Sequence, residues 1–347
     1  MEHSCPSNVV PANISQPLGR AFRGVADIRK RLSRLCFFRV SRTFLSILAC
    51  ASISLSALGA ALPSPQVCVL YPDVGEPYAR ITHEILNGIA ERLNAPKPCT
   101  LALPEQANKR AVQGWLSHHS PNVVITLGRL ANRVFEASGS RIPSVVGALD
   151  ISPETRPDAS GISLAVDPGV MFDRLKRMAP GVKRVFFAYE PGHDGWLLEH
   201  AKKEAAARGL ELRAEPADGV LQGAERYGHF AQIAQPHSDA IWLTLNNAII
   251  DDSSLVPYLI EKAWYRKLII VSNKLQHAQW GVSFATYPNN RALGHRLAEM
   301  ALRLTGHPEE SLGVAPLRDI KIAPNTRIMN HLGLPMGSTS NFEIIYE

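Results

Sequence analysis

From residue 66 onward, short apolar runs alternate with longer stretches whose apolar positions recur at helical spacing. Strands are predicted over 66–71, 99–103, 122–127 and 144–149, and helices over 77–93, 106–118 and 130–137, which is one βαβαβαβ lobe with a parallel sheet. A Pro-, Asp- and Ser-rich stretch at 152–160 interrupts the pattern. A second set follows, with helices over 168–178, 195–208, 222–234 and 254–266 and strands over 184–189, 210–214, 240–245 and 268–272. The pattern therefore predicts an α/β chain of two Rossmann-like lobes, 63–160 and 161–283, joined by a hinge. Residues 284–347 hold a helix at 291–305, an extended piece at 315–322 and a short tail, too little for a third lobe. They are expected to cross back, the helix returning to lobe 1.

Charge separates the first 62 residues from the rest. Of 37 Lys and Arg and 31 Asp and Glu, the first 62 residues hold eight basic and two acidic, leaving 29 of each sign for 63–347. A neutral folded portion argues against a nucleic-acid partner. The basic cluster from Arg29 to Arg42 precedes an uncharged run at 43–62 with small residues at its exit, the layout of a signal peptide cleaved near 60–63. That implies export to the periplasm. Two other layouts compete: a retained membrane anchor, and a lipoprotein box at Ile47-Leu48-Ala49-Cys50. The basic segment is long and no Met lies between Met1 and Met171, so translation is expected to start downstream, at a codon other than that for Met.

Five cysteines form no CxxC, and His118-His119 lack a third ligand at metal spacing, so neither a metal nor a cofactor is expected. Cleavage would leave Cys68 and Cys99, in the first and second strands. In an oxidising compartment these either pair or remain two buried thiols. No GxSxG, GxGxxG, P-loop or HExxH is present, so no enzyme activity is expected.

Several blocks resemble one family in order. Val123-Val124-Ile125-Thr126-Leu127-Gly128 with Ala131, then Ile142-Pro143, resembles its D-V-V-I-T-x-G-x-x-A … I-P segment. Gly161-Ile162-Ser163 and Lys183-Arg184-Val185 resemble the entry to its second lobe. Asp239-Ala240-Ile241, Gly294 with Ala298, Leu304-Thr305-Gly306 with Pro308, and Asn330 with Leu332-Gly333-Leu334 follow. From about 67 to 334 the chain thus resembles the ABC transporter substrate-binding proteins whose best-known members take up aromatic amino acids. The resemblance implies a type I periplasmic binding protein fold, a small-molecule ligand between the lobes, and an ABC permease or a membrane sensor as partner.

In such a fold, ligand contacts belong where strands end and helices begin. Candidates are Asp73 and Tyr78 after the first strand, and Thr126, Gly128 and Arg129 after the third. In the second lobe they are Tyr189, Glu190 and His193, then Asn246 and Asn247, then Asn273. Relatives usually carry Asp where Asn246 stands, a charge suited to a ligand ammonium. An amide cannot supply it. With Arg129 as an added cation, the expected ligand is anionic or carboxylate-bearing. The five tryptophans are expected in the core or on lobe surfaces, with Trp280, beside Gly281 in the second crossover, singled out as the one closest to a ligand role.

Overall fold

Two six-stranded sheets carry the chain in a computed structural model that describes residues 66–95 and 97–347. The basic leader, its cleavage site and the alternatives to them lie outside those residues. The first lobe runs β1 (Val67–Pro72), α1 (Tyr78–Arg92), β2 (Cys99–Leu103), α2 (Lys109–His119), β3 (Val123–Leu127), α3 (Gly128–Ala137), β4 (Ser144–Leu149) and β5 (Ser160–Val166). The second runs α4 (Pro168–Met178), β6 (Arg184–Tyr189), α5 (Pro191–Asp194), α6 (Leu198–Ala207), β7 (Glu211–Pro216), α7 (Gly219–Ile233), β8 (Asp239–Leu243), α8 (Leu255–Arg266), β9 (Ile269–Ser272), α9 (Leu275–Trp280) and β10 (Phe284–Pro288). Then come α10 (Asn290–Gly306), β11 (Val314–Leu317), β12 (Ile320–Pro324) and α11 (Thr326–His331).

The first sheet has the order β11-β5-β4-β3-β1-β2 and the second β12-β10-β9-β8-β6-β7. All pairings are parallel except that of β12 with β10. Helices cover the faces of such sheets, so central strands read as unbroken apolar runs; all five residues of β3 and of β8 are buried.

The lobe boundaries expected from sequence need correction. Residues 160–166 are not the entry to the second lobe but β5, paired to β4 and β11 in the first sheet. Residues 284–288 form β10 of the second sheet, and the extended piece at 315–322 is two strands in different sheets. The chain consequently crosses between lobes at three places, near Asp167, Asn289 and Arg318-Asp319.

The crossings are bonded to one another. The Asp167 amide donates to the Leu317 carbonyl, and the Asn289 amide to the Asp319 carbonyl, each at 2.8 Å. Asp167 also caps α4 by accepting from the Val170 amide at 3.0 Å, while its other oxygen accepts from Arg318 at 3.2 Å. Asn289 caps α10 in the same way through the Ala292 amide. Each crossing is therefore pinned by hydrogen bonds where one lobe passes into the other.

Helix α10 packs on α1 at backbone distance. A Cβ on Gly88 would lie 2.0 Å from the Arg291 carbonyl oxygen, and one on Gly294 2.1 Å from that of Ile85. Cys68 and Cys99 face each other in register on β1 and β2, with Cα atoms 4.6 Å apart, and are disulfide-bonded.

Candidate functional site

The carboxyl ends of the two sheets face each other across a cavity of about 690 Å³. The first lobe contributes Pro72, Tyr78, Arg80 and Ile81 from the end of β1 and the start of α1, with Gly128 and Ala148 from the ends of β3 and β4. Opposite stand Asn273, Leu275 and Tyr287, and the hinge adds Pro288 and Asn290. Gly128 has φ of +76°, which a residue without a Cβ adopts freely, and it turns β3 directly into α3 at the cavity wall. Most of the lining surface is apolar, and its charged groups are Arg80, Glu84, Lys321 and Glu343.

Asn273 is the polar group best fixed there. It is only 5% exposed, and its Oδ1 accepts from the Trp242 indole and from the Thr286 hydroxyl, both at 3.1 Å. An indole N–H only donates, so the amide oxygen must face inward to Trp242. The Asn273 NH₂ makes no hydrogen bond among the described residues and is left to the cavity it lines. That leaves a donor of fixed orientation at the cavity wall.

Tyr78, Gly128 and Asn273 are thus brought together, whereas other expected residues are not. Thr126 does not reach the cleft: it is fully buried, and its hydroxyl donates to Asn132 Oδ1 at 3.3 Å. Its side chain leaves β3 toward the covering helix. Asp73 and Arg129 are exposed and outside the cavity lining, as is Asn247, which accepts from Lys274. The cations at the wall are instead Arg80, in the first turn of α1, and Lys321, and Glu84 lines the same wall one helical turn from Arg80. Trp280 lies on a surface pocket with Trp264 and Arg327 and is not part of the cavity lining.

Glu190, His193 and Asn246 gather in a second cluster at the end of β6, whereas Tyr189, the last residue of that strand, packs against the core beside Phe187. The Asn246 amide donates to Glu190 and to Asp194, each at 2.9 Å. The second lobe has therefore not lost negative charge at Asn246; two carboxylates flank it, which corrects the charge argument made from sequence. His193 Nδ1 lies 2.9 Å from Asp194 Oδ1, and its Nε2 lies 3.6 Å from Asp150 Oδ2 of the first lobe. The Asp194 hydrogen bond is the main cause that lifts the imidazole to about 9, with Asp150 adding to it. Burial pushes the Asp150 carboxyl upward, against the pull of His193.

Two contributors were invisible as motifs. Glu343 and Ile344 of the terminal segment line the cavity mouth. This segment is tied to the second lobe by Tyr346, whose amide donates to the Pro324 carbonyl and whose carbonyl accepts from the Thr326 amide. Glu343 accepts from Lys321 and from the Tyr287 hydroxyl, so the mouth carries a neutralised ion pair. Beside the cleft, Ser272, His277 and Asp252 form a hydrogen-bonded chain, Oγ to Nδ1 at 2.8 Å and Nε2 to Oδ1 at 3.1 Å. Ser272 and His277 are fully buried and the serine oxygen already accepts from the Lys274 amide, so no substrate reaches that oxygen in this conformation. Among the described residues, no three His, Cys, Asp or Glu converge to hold a metal, and no helix is long and apolar enough to cross a membrane.

No protein-family model and no curated protein matches the chain. Solved structures do. The ligand-free, open structure of a substrate-binding protein with adhesive properties from Clostridium difficile is similar at a TM-score of 0.55 and 16% identity, over 81% of this chain and 99% of that one. An ABC domain in complex with L-Trp from Streptococcus pneumonia gives 0.50 and 15%, over 81% and 100%. A LacI-family repressor from Corynebacterium glutamicum gives 0.39 and 17%, over 74% and 96%. At these identities the likeness is one of fold, and the fold is that of the type I periplasmic binding proteins.

Proposed function

We propose that the protein is an exported, non-catalytic solute-binding protein that captures a small ligand between its lobes and delivers it to an ABC permease. The observation that carries this reading is Asn273, a buried amide whose orientation is locked and whose NH₂ opens onto an apolar interlobe cavity. A ligand with an apolar body and one carboxylate or carbonyl oxygen satisfies both features, the body against Ile81, Leu275 and Tyr287 and the oxygen on Asn273. Arg80 favours a carboxylate over a neutral carbonyl, with Glu84 on the same wall opposing it. The anionic ligand inferred from sequence is retained on these residues, with Thr126 and Arg129 set aside.

The test is a thermal-shift screen of carboxylic acids, amino acids, short peptides and nucleobases, followed by affinity measurements on the best compound. Asn273→Asp keeps an acceptor toward Trp242 and Thr286 but replaces the donor edge with a repelling oxygen. It is expected to weaken a carboxylate ligand by roughly ten- to a hundredfold, the strength of a charged hydrogen bond. Arg80→Ala is expected to weaken it by tenfold or less, because that side chain is exposed. Unchanged affinity in Asn273→Asp, or turnover of the compound, would overturn the reading. Loss of uptake of that compound on deleting the gene separates delivery to a permease from signalling to a membrane sensor.

A further inference from the structure

One ion contact crosses the cleft away from the ligand cavity. Asp150 follows β4 of the first lobe, and its Oδ1 accepts from the buried Ser163 hydroxyl at 3.0 Å, which fixes the carboxylate within its own lobe. His193 sits on α5 of the second lobe, anchored by Asp194, which in turn accepts from Asn246 and from the Glu190 amide at 3.0 Å. Between these two anchored halves runs the 3.6 Å approach of His193 Nε2 to Asp150 Oδ2. Nδ1 lies at hydrogen-bond distance from an Asp194 oxygen and Nε2 at ion-pair distance from an Asp150 oxygen; ionised carboxylates only accept, so with both ionised the geometry calls for a proton on each nitrogen.

We propose that Asp150 and His193 form an interlobe clasp that favours the closed cleft in the ligand-free protein and releases when either partner loses its charge. The groups facing His193 are Asp194 and Glu190 from its own lobe and Asp150 and Glu154 from the other. The imidazolium thus stands among four carboxylates. Opening removes Asp150 and Glu154 from it but leaves Asp194 and Glu190. Closure therefore raises the affinity of His193 for its proton, and by linkage the contribution of His193 to the clasp is full below its open-state pKa and lost as pH rises through about 9. On the acid side it is lost as Asp150 protonates, which burial shifts above the ordinary aspartate range.

The experiment is pulsed electron resonance distance measurement on the ligand-free full chain, with one spin label on each lobe, between pH 7 and 10. The wild type is expected to move toward a longer interlobe distance near pH 9. Asp150→Asn and His193→Gln are expected to show the longer distance already at pH 7, with the closed-to-open ratio lowered roughly three- to fivefold, the upper range for partly exposed ion pairs. His193→Gln should not respond further to pH, Asp150→Asn should keep at most the weaker response that Glu154 leaves, and the double variant should match His193→Gln. His193→Arg, which keeps its charge, is expected to stay closed at pH 10. Equal distances in all variants at pH 7, or an undiminished pH response in Asp150→Asn and His193→Gln, would overturn the clasp. Neither result bears on ligand binding at Asn273, because no ligand is present.

Discussion

Gly294→Val is expected to destabilise the protein by about 3 kcal/mol or more, at or above the upper end for overpacked interiors. The site has no slack: a Cβ there would lie 2.1 Å from the Ile85 carbonyl oxygen and 3.0 Å from the Ile89 amide nitrogen, both backbone atoms of α1. Relief requires the two helices to separate. Helix α1 carries Tyr78, Arg80, Ile81 and Ile85, which line the cavity, and α10 leads out of the hinge, so the same substitution is expected to weaken ligand binding without touching the ligand. Urea unfolding checks the first effect as a lower midpoint at unchanged slope. Gly114→Ala is the control, since nothing lies within 4 Å of a Cβ there and removing a helical glycine should be neutral or slightly stabilising. Equal stability of Gly294→Val and wild type would mean that the helices do not cross at backbone distance.

Removing the disulfide is expected to cost about 3 to 4 kcal/mol, from the loss of a cross-link between residues separated by 31 positions. Its placement adds a local consequence. β2 is an edge strand paired only to β1, and the Leu103 carbonyl at its end accepts from the Asp73 amide at 2.8 Å. The disulfide therefore also steadies the turn that leads from β1 to the cavity residues of α1. The Cys68→Ala, Cys99→Ala double variant should unfold at lower urea than the wild type, the reductant-treated wild type should match it, and the double variant should ignore reductant. Wild type unaffected by reductant under unfolding conditions would show that the two thiols are free.

The alternation of strand and helix was legible because buried parallel strands are nearly continuous apolar runs, as in β3 and β8, while the helices between them keep one polar face. β5 and β10 escaped because Ser160, Ser163 and Thr286 interrupt their apolar pattern; all three are buried, and their hydroxyls are used in hydrogen bonds. Nor does local pattern say that β5 returns to the first sheet while β12 joins the second, since those pairings join residues up to about 150 positions apart in sequence. At the site, the rule that ligands gather at strand ends reached Tyr78, Gly128 and Asn273. It failed at Thr126 because the residue is still in β3, where alternate side chains face the covering helix. The same rule applied to the end of β4 would have reached Asp150. Nothing local marks Glu343 and Ile344, which meet the cavity only through the path of the terminal segment along β12.

The most direct measurement of a ligand held between the lobes is amide hydrogen exchange of the full chain with and without the best-stabilising carboxylate from the screen. At 100 times its dissociation constant such a ligand stabilises the folded state by about 2.7 kcal/mol. Protection is expected at once in both lobes, over 72–85 and 127–131 in the first and over 273–276 and 286–288 in the second. Protection confined to one lobe, or to the surface cavity formed by Arg141, Ser144 and Arg156 on the first lobe, would contradict the interlobe site.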